Sequence, residues 1–257
     1  MLLATWNVNS IRARDARLRA WLQSRKPDVV CLQELKCEAA QLPEWLREDG
    51  WHVAAAGQKT YNGVAILSRT ELLHVSAGLG DGQDGEGPEP ARLIAATVQG
   101  VRVISAYFPN GGSLGSDKWQ YKLRWMQRLR AWLDRWCTND QPLALCGDFN
   151  VAPEARDVCD PAKWESSVLF APEARASLEK VRAFGLTDAF RLHQQGPVFS
   201  WWDYRAGAFR KDQGLRIDHV FATAKLADRC AAARVDREER EGDGASDHAP
   251  VLVEFSS

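Results

Sequence analysis

Apolar residues recur along this chain in short runs, each bounded by charged or turn-forming residues. Their length and boundaries are typical of β-strands rather than helices. Gln99-Gly100 separates two of the runs and predicts a tight hairpin turn between them. The predicted strands are Leu2–Trp6, Val29–Leu32, Gly63–Leu67, Ile94–Val98, Val101–Ala106, Leu143–Cys146, Ile217–Phe221 and Val251–Phe255.

Apolar residues at helical spacing lie between these strands. In the longest such segment, Trp125, Leu129, Trp132 and Trp136 fall on one face, which predicts that they are core residues. Strands interspersed with helices and hairpins favour a mixed α/β (α+β) sandwich over a parallel sheet. The predicted helices are Ala13–Ser24, Leu42–Asp49, Lys118–Cys137 and Pro172–Phe184.

Gly78–Pro90 is the one glycine-rich stretch, and it is too short for a domain linker. We therefore expect a single domain over residues 1–257. Composition is ordinary for a globular protein, with 45% apolar and 26% charged residues. The N-terminus lacks a secretory pattern and no apolar run reaches membrane-spanning length, so the sequence predicts a cytoplasmic protein without a membrane. The net charge of −1 neither indicates nor excludes a nucleic-acid partner.

Polar clusters follow several predicted strands. Glu34 comes after Val29–Leu32, and Asn7 ends the first run. A carboxylate with a neighbouring amide suits a hard divalent cation such as Mg²⁺, which takes few protein carboxylates and completes its shell with water and phosphate. Asn7 would either supply an oxygen or orient Glu34. The alternative is an asparagine cap beside a surface glutamate.

Two further clusters carry groups suited to proton transfer. Asp148 and Asn150 follow a strand through Gly147, and could accept a proton from water and stabilise a phosphoryl oxygen. Asp247-His248 precedes the last strand, where the imidazole could contact a phosphate and Asp218 could fix its tautomer. Ordinary turns and a structural histidine are the alternatives.

The motifs WNVNSIRAR, LQELK, YNGVAILSR, YFPNGG, LCGDFNVAP, FSWWDYR, GLRIDH and SDHAPV stand in this order from end to end. Together they resemble the exonuclease III family of AP endonucleases, in its bacterial branch, within the endonuclease/exonuclease/phosphatase superfamily. The resemblance implies a DNase I-like, four-layer sandwich of two packed mixed sheets flanked by helices. It also implies a monomer that uses Mg²⁺, or Mn²⁺ in its place.

The implied reaction is phosphodiester hydrolysis on the 5′ side of abasic sites in double-stranded DNA, as part of base excision repair. Related activities act on blocked 3′ ends as 3′-phosphatase, 3′-phosphodiesterase or 3′-5′ exonuclease. The general base (Asp148, Tyr107 or a metal hydroxide) and the number of metals, one or two, stay open. So does the balance of activities, for which the loops Gly111–Lys118 and Asp157–Trp164 are candidates.

The resemblance distributes roles over particular residues. The predicted metal site comprises Asn7, Glu34, Asp148, Asn150, Asp247 and His248. The predicted catalytic residues are Tyr107, Asp148, Asn150, Asp218 and His248. The predicted DNA contacts are Arg12 and Asn110, with Trp201, Leu215 and Ile217 lining an apolar slot for a flipped-out sugar that has no base. The alternative for these three apolar residues, and for Tyr107, is a packing role.

A basic minority of the surface is expected to contact the DNA backbone. We predict this role for Arg12, Arg14, Arg17, Lys118, Lys122 and Arg210-Lys211, with solvated helix faces as the alternative for Arg14 and Arg17. Two other functions compete with DNA repair. One is a superfamily phosphatase or phosphodiesterase acting on RNA or phosphoinositide, which would not be expected to carry FSWWDYR and GLRIDH. The other is a non-catalytic DNA-binding relative, which predicts the loss of a metal or proton-handling residue.

Overall fold

The computed structural model describes residues 1–84 and 89–256, and within them it contains two six-stranded β-sheets. The first sheet has the order β11-β12-β1-β2-β4-β3 and the second β5-β6-β7-β8-β10-β9. The strands are β1 (Leu2–Asn7), β2 (Val29–Gln33), β3 (His52–Ala56), β4 (Val64–Ser68), β5 (Leu73–Ala77), β6 (Leu93–Val98), β7 (Val101–Tyr107), β8 (Leu143–Asp148), β9 (Leu186–Asp188), β10 (Asp218–Thr223), β11 (Cys230–Val235) and β12 (Val251–Phe255).

Both sheets are mixed. β1 pairs in parallel with β2 and β7 in parallel with β8, whereas the other pairings are antiparallel. Parallel neighbours end at the same edge of a sheet, so the residues that follow them meet there. β1 also pairs with β12, which joins the two ends of the described chain in one sheet.

Helices cover the outer faces of the sheets. Apolar side chains of α1 pack on the first sheet and those of α3 and α5 on the second, while a third apolar layer fills the space between the sheets. The predicted four-layer sandwich is confirmed. The helices are α1 (Asp15–Arg25), α2 (Trp45–Glu48), α3 (Asp117–Trp136), α4 (Pro161–Trp164), α5 (Pro172–Arg182) and α6 (Ala224–Ala227).

All eight predicted strands are present, and the Gln99-Gly100 turn is confirmed, with φ of +49° and +79° at the two residues. The predicted helix over Leu42–Asp49 is only the single turn α2. Trp136 was wrongly predicted to be core. It is the last residue of α3 and is 62% exposed.

Four strands escaped the prediction: β3, β5, β9 and β11. They form the two edges of each sheet, and every residue of β5 is exposed, so they lack the apolar runs of central strands. The predicted loop Gly78–Pro90 is irregular where it is described, and its residues 85–88 lie outside the described part. Among the described residues, no helix combines the length and apolar character needed to cross a membrane.

Candidate active site

The polar clusters of the sequence meet at one end of the sandwich because of strand register. In the second sheet, Asp148 of β8 lies opposite Tyr107 of β7 on one side and Asp218 of β10 on the other. In the first sheet, Asn7 of β1 lies opposite Gln33 of β2, directly before Glu34. Residues far apart in sequence are therefore neighbours in space.

Gly147 allows this close approach within the second sheet. Its φ is +149°, and a Cβ atom there would lie 1.8 Å from the carbonyl oxygen of Ala106 on the neighbouring strand. Any side chain would push β7 and β8 apart and separate Tyr107 from Asp148.

Asn7 connects the two sheets at the site. It is completely buried, and its Nδ2 donates to Glu34 Oε1 and to Asp148 Oδ2, both at 2.9 Å. Its Oδ1 accepts from the backbone N of Asn9 at 2.9 Å. Of the two roles predicted for Asn7, the geometry favours orienting Glu34 rather than supplying an oxygen ligand.

Glu34 is held in its charged form. The residue has a left-handed backbone, with φ +53°, and its Oε2 lies 2.8 Å from Nζ of Lys36. Burial alone would raise the pKa of Glu34, but the hydrogen bond from Asn7 and the Lys36 ammonium bring that pKa below its usual value. Glu34 is therefore a carboxylate available to a cation.

Asp148 lies at the centre of the cluster and is 1% exposed. Its Oδ1 accepts from the backbone N of Asn150 at 2.9 Å, and its Oδ2 accepts from Asn150 Nδ2 at 3.1 Å. Asn150 Oδ1 in turn accepts from Asn110 Nδ2 at 3.0 Å. The two asparagines and Asp148 form one hydrogen-bonded unit across the ends of β7 and β8.

His248 lies between two carboxylates. Its Nδ1 is 2.9 Å from Asp218 Oδ2, and its Nε2 is 3.8 Å from Asp148 Oδ2. Ser200, which sequence reasoning missed, donates from Oγ to Asp218 Oδ2 at 2.6 Å and so fixes the carboxylate. The predicted pairing of Asp218 with His248 is present.

The charges of this pair follow from their neighbours. Burial would lower the pKa of His248, but Asp218 and Asp148 raise it to about 10, so the ring is an imidazolium near neutral pH. Burial raises the pKa of Asp148, with His248 opposing and Asp218 reinforcing the shift. A cation thus lies beside a carboxylate of increased basicity, an arrangement suited to binding a phosphate and accepting a proton from water.

Tyr107 faces the same carboxylates. Burial, followed by the charges of Glu34 and Asp148, raises the pKa of Tyr107 well above its usual value. The phenol therefore stays protonated and can donate a hydrogen bond, which favours Asp148 over Tyr107 as the proton acceptor.

The donor set fits a hard divalent cation. The carboxylates of Glu34 and Asp148 both accept from one nitrogen of Asn7, which places them on the same side of the site. A second grouping, Asp148, Asp218 and His248, brings potential ligand atoms within 4.8 Å of one another. Oxygen-rich sites with few carboxylates are those that Mg²⁺ and Mn²⁺ occupy.

Asp247 is hydrogen-bonded to Asn9 and Trp201 rather than to the groups around Asp148. Its Oδ1 accepts from Asn9 Nδ2 at 2.9 Å and its Oδ2 from Trp201 Nε1 at 3.0 Å. Both oxygens thus have protein partners, and they lie on the Trp201 side of His248. The predicted metal role of Asp247 stays a prediction, while the contacts show it orienting Trp201.

The three residues predicted to line an apolar slot differ in their exposure. Trp201 is half-buried, and its ring meets the half-buried ring of Trp164 edge to face, with centroids 6.1 Å apart. Leu215 and Ile217 are 0% and 1% exposed. Leu215 pairs with Trp201 through the backbone, and contact of the buried Leu215 and Ile217 side chains with a sugar stays a prediction. Trp164 lies in the loop singled out from the sequence, but the residue itself was missed.

The cations predicted to contact DNA fall into two groups, those that are exposed and those that are hydrogen-bonded within the protein. Arg12, Lys118, Arg210 and Lys211 are exposed. Arg14 instead donates to the Asn9 and Ala245 carbonyls and the Tyr204 hydroxyl. Arg17 donates to the Glu239 carboxylate and to backbone carbonyls. Lys122 was wrongly predicted to contact DNA, because it is completely buried on α3.

Comparison with known proteins agrees with this site. The profile of the endonuclease/exonuclease/phosphatase family matches residues 4–248. Exodeoxyribonuclease III of Haemophilus influenzae is 33% identical over 99% of this chain and 100% of its own. The AP endonuclease of Archaeoglobus fulgidus is 38% identical with a TM-score of 0.95, and the 3′ phosphatase NExo of Neisseria, solved with a product DNA hairpin, is 39% identical with a TM-score of 0.94; both matches cover 100% of each chain.

Proposed function

Because this chain belongs to the endonuclease/exonuclease/phosphatase family, and within it to the exonuclease III family of AP endonucleases, we propose that it cleaves duplex DNA on the 5′ side of abasic sites. The chain is a hydrolase of the nuclease class. The observation that carries the proposal is the position of Asp148, which is linked through Asn7 to Glu34 and lies beside the Asp218–His248 pair.

The chemistry follows from these contacts. Asp148 accepts a proton as the oxygen of a water molecule forms a bond to phosphorus, and its raised pKa makes it an effective base. The bond from phosphorus to the preceding 3′ oxygen breaks, its electron pair stays on that oxygen, and the oxygen takes a proton from solvent. The products are a 3′-hydroxyl and a 5′-deoxyribose phosphate.

The remaining groups stabilise charge during this step. The His248 imidazolium, held at Nδ1 by Asp218, directs Nε2 toward the phosphate position, and the Tyr107 hydroxyl donates from the other side. Mg²⁺, or Mn²⁺ in its place, would be held by Glu34 with Asp148 nearby and would supply positive charge to offset that of the phosphate and the leaving oxygen.

Substrate choice would come from the tryptophan-lined slot rather than from reading bases. The exposed faces of Trp201 and Trp164 can pack against a deoxyribose, and extruding an abasic sugar is easier than extruding a stacked nucleotide. Backbone contacts by the exposed cations, beginning with Arg12, would position the duplex without specifying its sequence.

The test is cleavage of a duplex oligonucleotide that carries one tetrahydrofuran site, with an undamaged duplex as reference. We expect incision 5′ to the lesion, its loss in EDTA and its return with Mg²⁺ or Mn²⁺. Trp201→Ala should lower kcat/KM for the abasic duplex and shrink its preference over intact DNA. Trp136→Ala, an exposed tryptophan at the far end of α3, is the matched control and should leave both unchanged. Incision that persists in EDTA would contradict the proposal.

A second activity, processing of blocked 3′ ends, is favoured by the contact of Trp164 with Trp201. A Trp164 ring packed edge to face on Trp201 would narrow the space for a flipped sugar inside an intact strand, whereas a strand end would need less room. Removing the bulk in Trp164→Ala should raise the rate at internal abasic sites relative to 3′-phosphate ends. An unchanged ratio across a panel of internal abasic, 3′-phosphate and undamaged 3′ ends would exclude this role for Trp164.

We also infer one domain and a bacterial cytoplasmic setting. The first and last strands pair, and each of them leads to or from residues of the site, so a division of the chain would separate those residues. A chromosomal DNA substrate would place the enzyme in the cytoplasm.

A further inference from the structure

Lys122 is a buried cation directly beneath the active site. It lies near the start of α3 with no exposed surface. Its Nζ donates to three backbone carbonyls, those of Asn110 at 3.1 Å, Asn150 at 2.6 Å and Val168 at 2.6 Å. Burial lowers the pKa of Lys122 to about 7, with the Asp148 charge opposing that shift, so the group is an ammonium below that pH. An ammonium group has three protons to donate, and each has an acceptor here.

Two of these carbonyls belong to residues of the site. The side chains of Asn110 and Asn150 are hydrogen-bonded to each other at 3.0 Å, and Asn150 donates from its backbone N and from Nδ2 to Asp148. One residue therefore separates the Lys122 ammonium from the central carboxylate. The third carbonyl ties in the segment that follows α4.

The chain wraps closely around this lysine. Gly111 has φ +99°, and a Cβ atom there would lie 2.9 Å from Cδ of Lys122 and 3.3 Å from the Trp119 ring. The glycine that follows Asn110 thus allows the loop to close over the lysine stem. Asn150 likewise adopts a left-handed backbone, with φ +50°, at the point where its carbonyl meets the ammonium.

We propose that Lys122 is a positioning residue for the nuclease reaction, and that it acts by fixing Asn110 and Asn150, and through Asn150 the Asp148 carboxylate. Burying an ammonium group is costly, and an apolar side chain would fill the same space without that cost. The ammonium, unlike an apolar side chain, hydrogen-bonds to three carbonyls from separate loops and so orients them relative to one another. This inference rests on the proposed function, because its effect is read in cleavage of abasic DNA.

Lys122→Met keeps the length of the side chain and removes its donors. Loss of a group that orients catalytic residues typically costs about 10–100-fold, and we expect that decrease in kcat with KM for the abasic duplex unchanged. The matched control is Arg128→Met on the same helix. Arg128 is also buried, at 8% exposure, but its hydrogen bonds go to Asp81 and Asp84 on a loop away from the site.

The control should lose stability yet keep kcat within about twofold of the wild type, measured where both proteins are folded. If Lys122→Met also stays within that range, Lys122 is a packing residue and the inference is overturned. If wild type and control both fail to cleave abasic DNA, the proposed function is what fails.

A measurement on the unmodified protein covers the case in which Lys122→Met does not fold. In ¹⁵N–¹H correlation spectra recorded below pH 7, where Lys122 is protonated, its ammonium should give a signal with slow proton exchange, while exposed Lys118 on the same helix should exchange too fast to be seen. Exchange of the Lys122 protons as fast as those of Lys118 would show that the three hydrogen bonds are absent, and would overturn the inference.

Discussion

Two buried histidines differ in charge in the folded protein: His219, a residue of β10, is neutral, whereas His248, which contacts Asp218 of the same strand, is positively charged. His248 contacts carboxylates at both ring nitrogens, and its pKa is raised to about 10. His219 donates from Nε2 to the Val151 carbonyl at 2.9 Å, and its Nδ1 accepts from Arg216 at 3.0 Å. Burial, and then the Arg216 charge, lowers the pKa of His219 to about 4. Burial by itself therefore does not decide the charge of a histidine here; its partners do.

The surroundings of the two rings differ in charge balance. Around His219, a network that we call the arginine network pairs Arg191 and Arg216 with Asp157 and Asp188, and its charges cancel. Around His248, the acids outnumber the bases: Glu34, Asp148, Asp218 and Asp247 face His248 and Lys36. A balanced network stabilises the fold, whereas a cluster with excess negative charge is prepared for a cation.

The largest effect on catalysis should come from a change among the acids around His248. Asp148→Asn removes the proton acceptor but keeps its size, so kcat for abasic DNA should fall by about 10²–10⁴-fold. Circular dichroism should show a retained fold. A variant within about tenfold of the wild type would remove Asp148 from its proposed role.

Changes in the arginine network should instead affect the stability of the fold. Arg216→Met leaves the buried Asp188 carboxylate without its cation and removes one of two from Asp157, and should lower the free energy of unfolding by about 3–5 kcal/mol. Denaturant titration measures this loss, and kcat at low temperature should fall far less than in Asp148→Asn. A loss of kcat as large as that of Asp148→Asn, in a folded protein, would make the arginine network part of the catalytic apparatus.

The pH dependence of stability sharpens the same contrast. His219 is neutral in the folded protein, so its contribution is fully present above its unfolded pKa of about 6.5 and is lost as the pH falls through about 4. That difference corresponds to about 3 kcal/mol. Between these pH values, the free energy of unfolding should decline less steeply with falling pH in His219→Gln than in the wild type. Equal slopes would mean that His219 is protonated in the folded protein.

Glu34 tests whether the excess negative charge is used for a cation. Glu34→Ala should lower the rate by about 10–100-fold at limiting Mg²⁺, because a carboxylate of the predicted metal site is lost. Raising Mg²⁺ or Mn²⁺ should restore part of the rate. A titration with unchanged metal dependence would show that Glu34 is not part of the metal site.

The smallest effect concerns the salt dependence of DNA binding, in which an exposed arginine and an ion-paired arginine should differ. Arg12 is exposed and should neutralise one phosphate, so Arg12→Ala should reduce the slope of log affinity against log salt by about 0.9. Arg17 is already bound to Glu239 at 3.0 Å, and Arg17→Ala should leave the slope unchanged. Equal changes in both variants would mean that Arg17 is released when DNA binds.

Much of the fold and site followed from the sequence because central strands and their ends are local features. A buried strand needs a run of apolar residues, and the polar residue that follows it is read directly, as with Glu34 after β2. Edge strands such as β5 and β11 left a weaker signal because water covers much of their surface. Charged residues were the least predictable: Lys118 and Lys122 look alike in sequence, yet one is exposed and the other buried.

The sequence by itself therefore determined the family, the central strands and the types of chemical group at the site. Only the tertiary structure decided the state and use of each group: that Asn7 presents its nitrogen, that His248 is charged while His219 is neutral, and that Lys122 lies beneath the site. The physical reason is that hydrogen bonding and electrostatic energy depend on distance in space. The partners of Asn7, for example, lie 27 and 141 residues away along the chain, and only folding brings them to 2.9 Å.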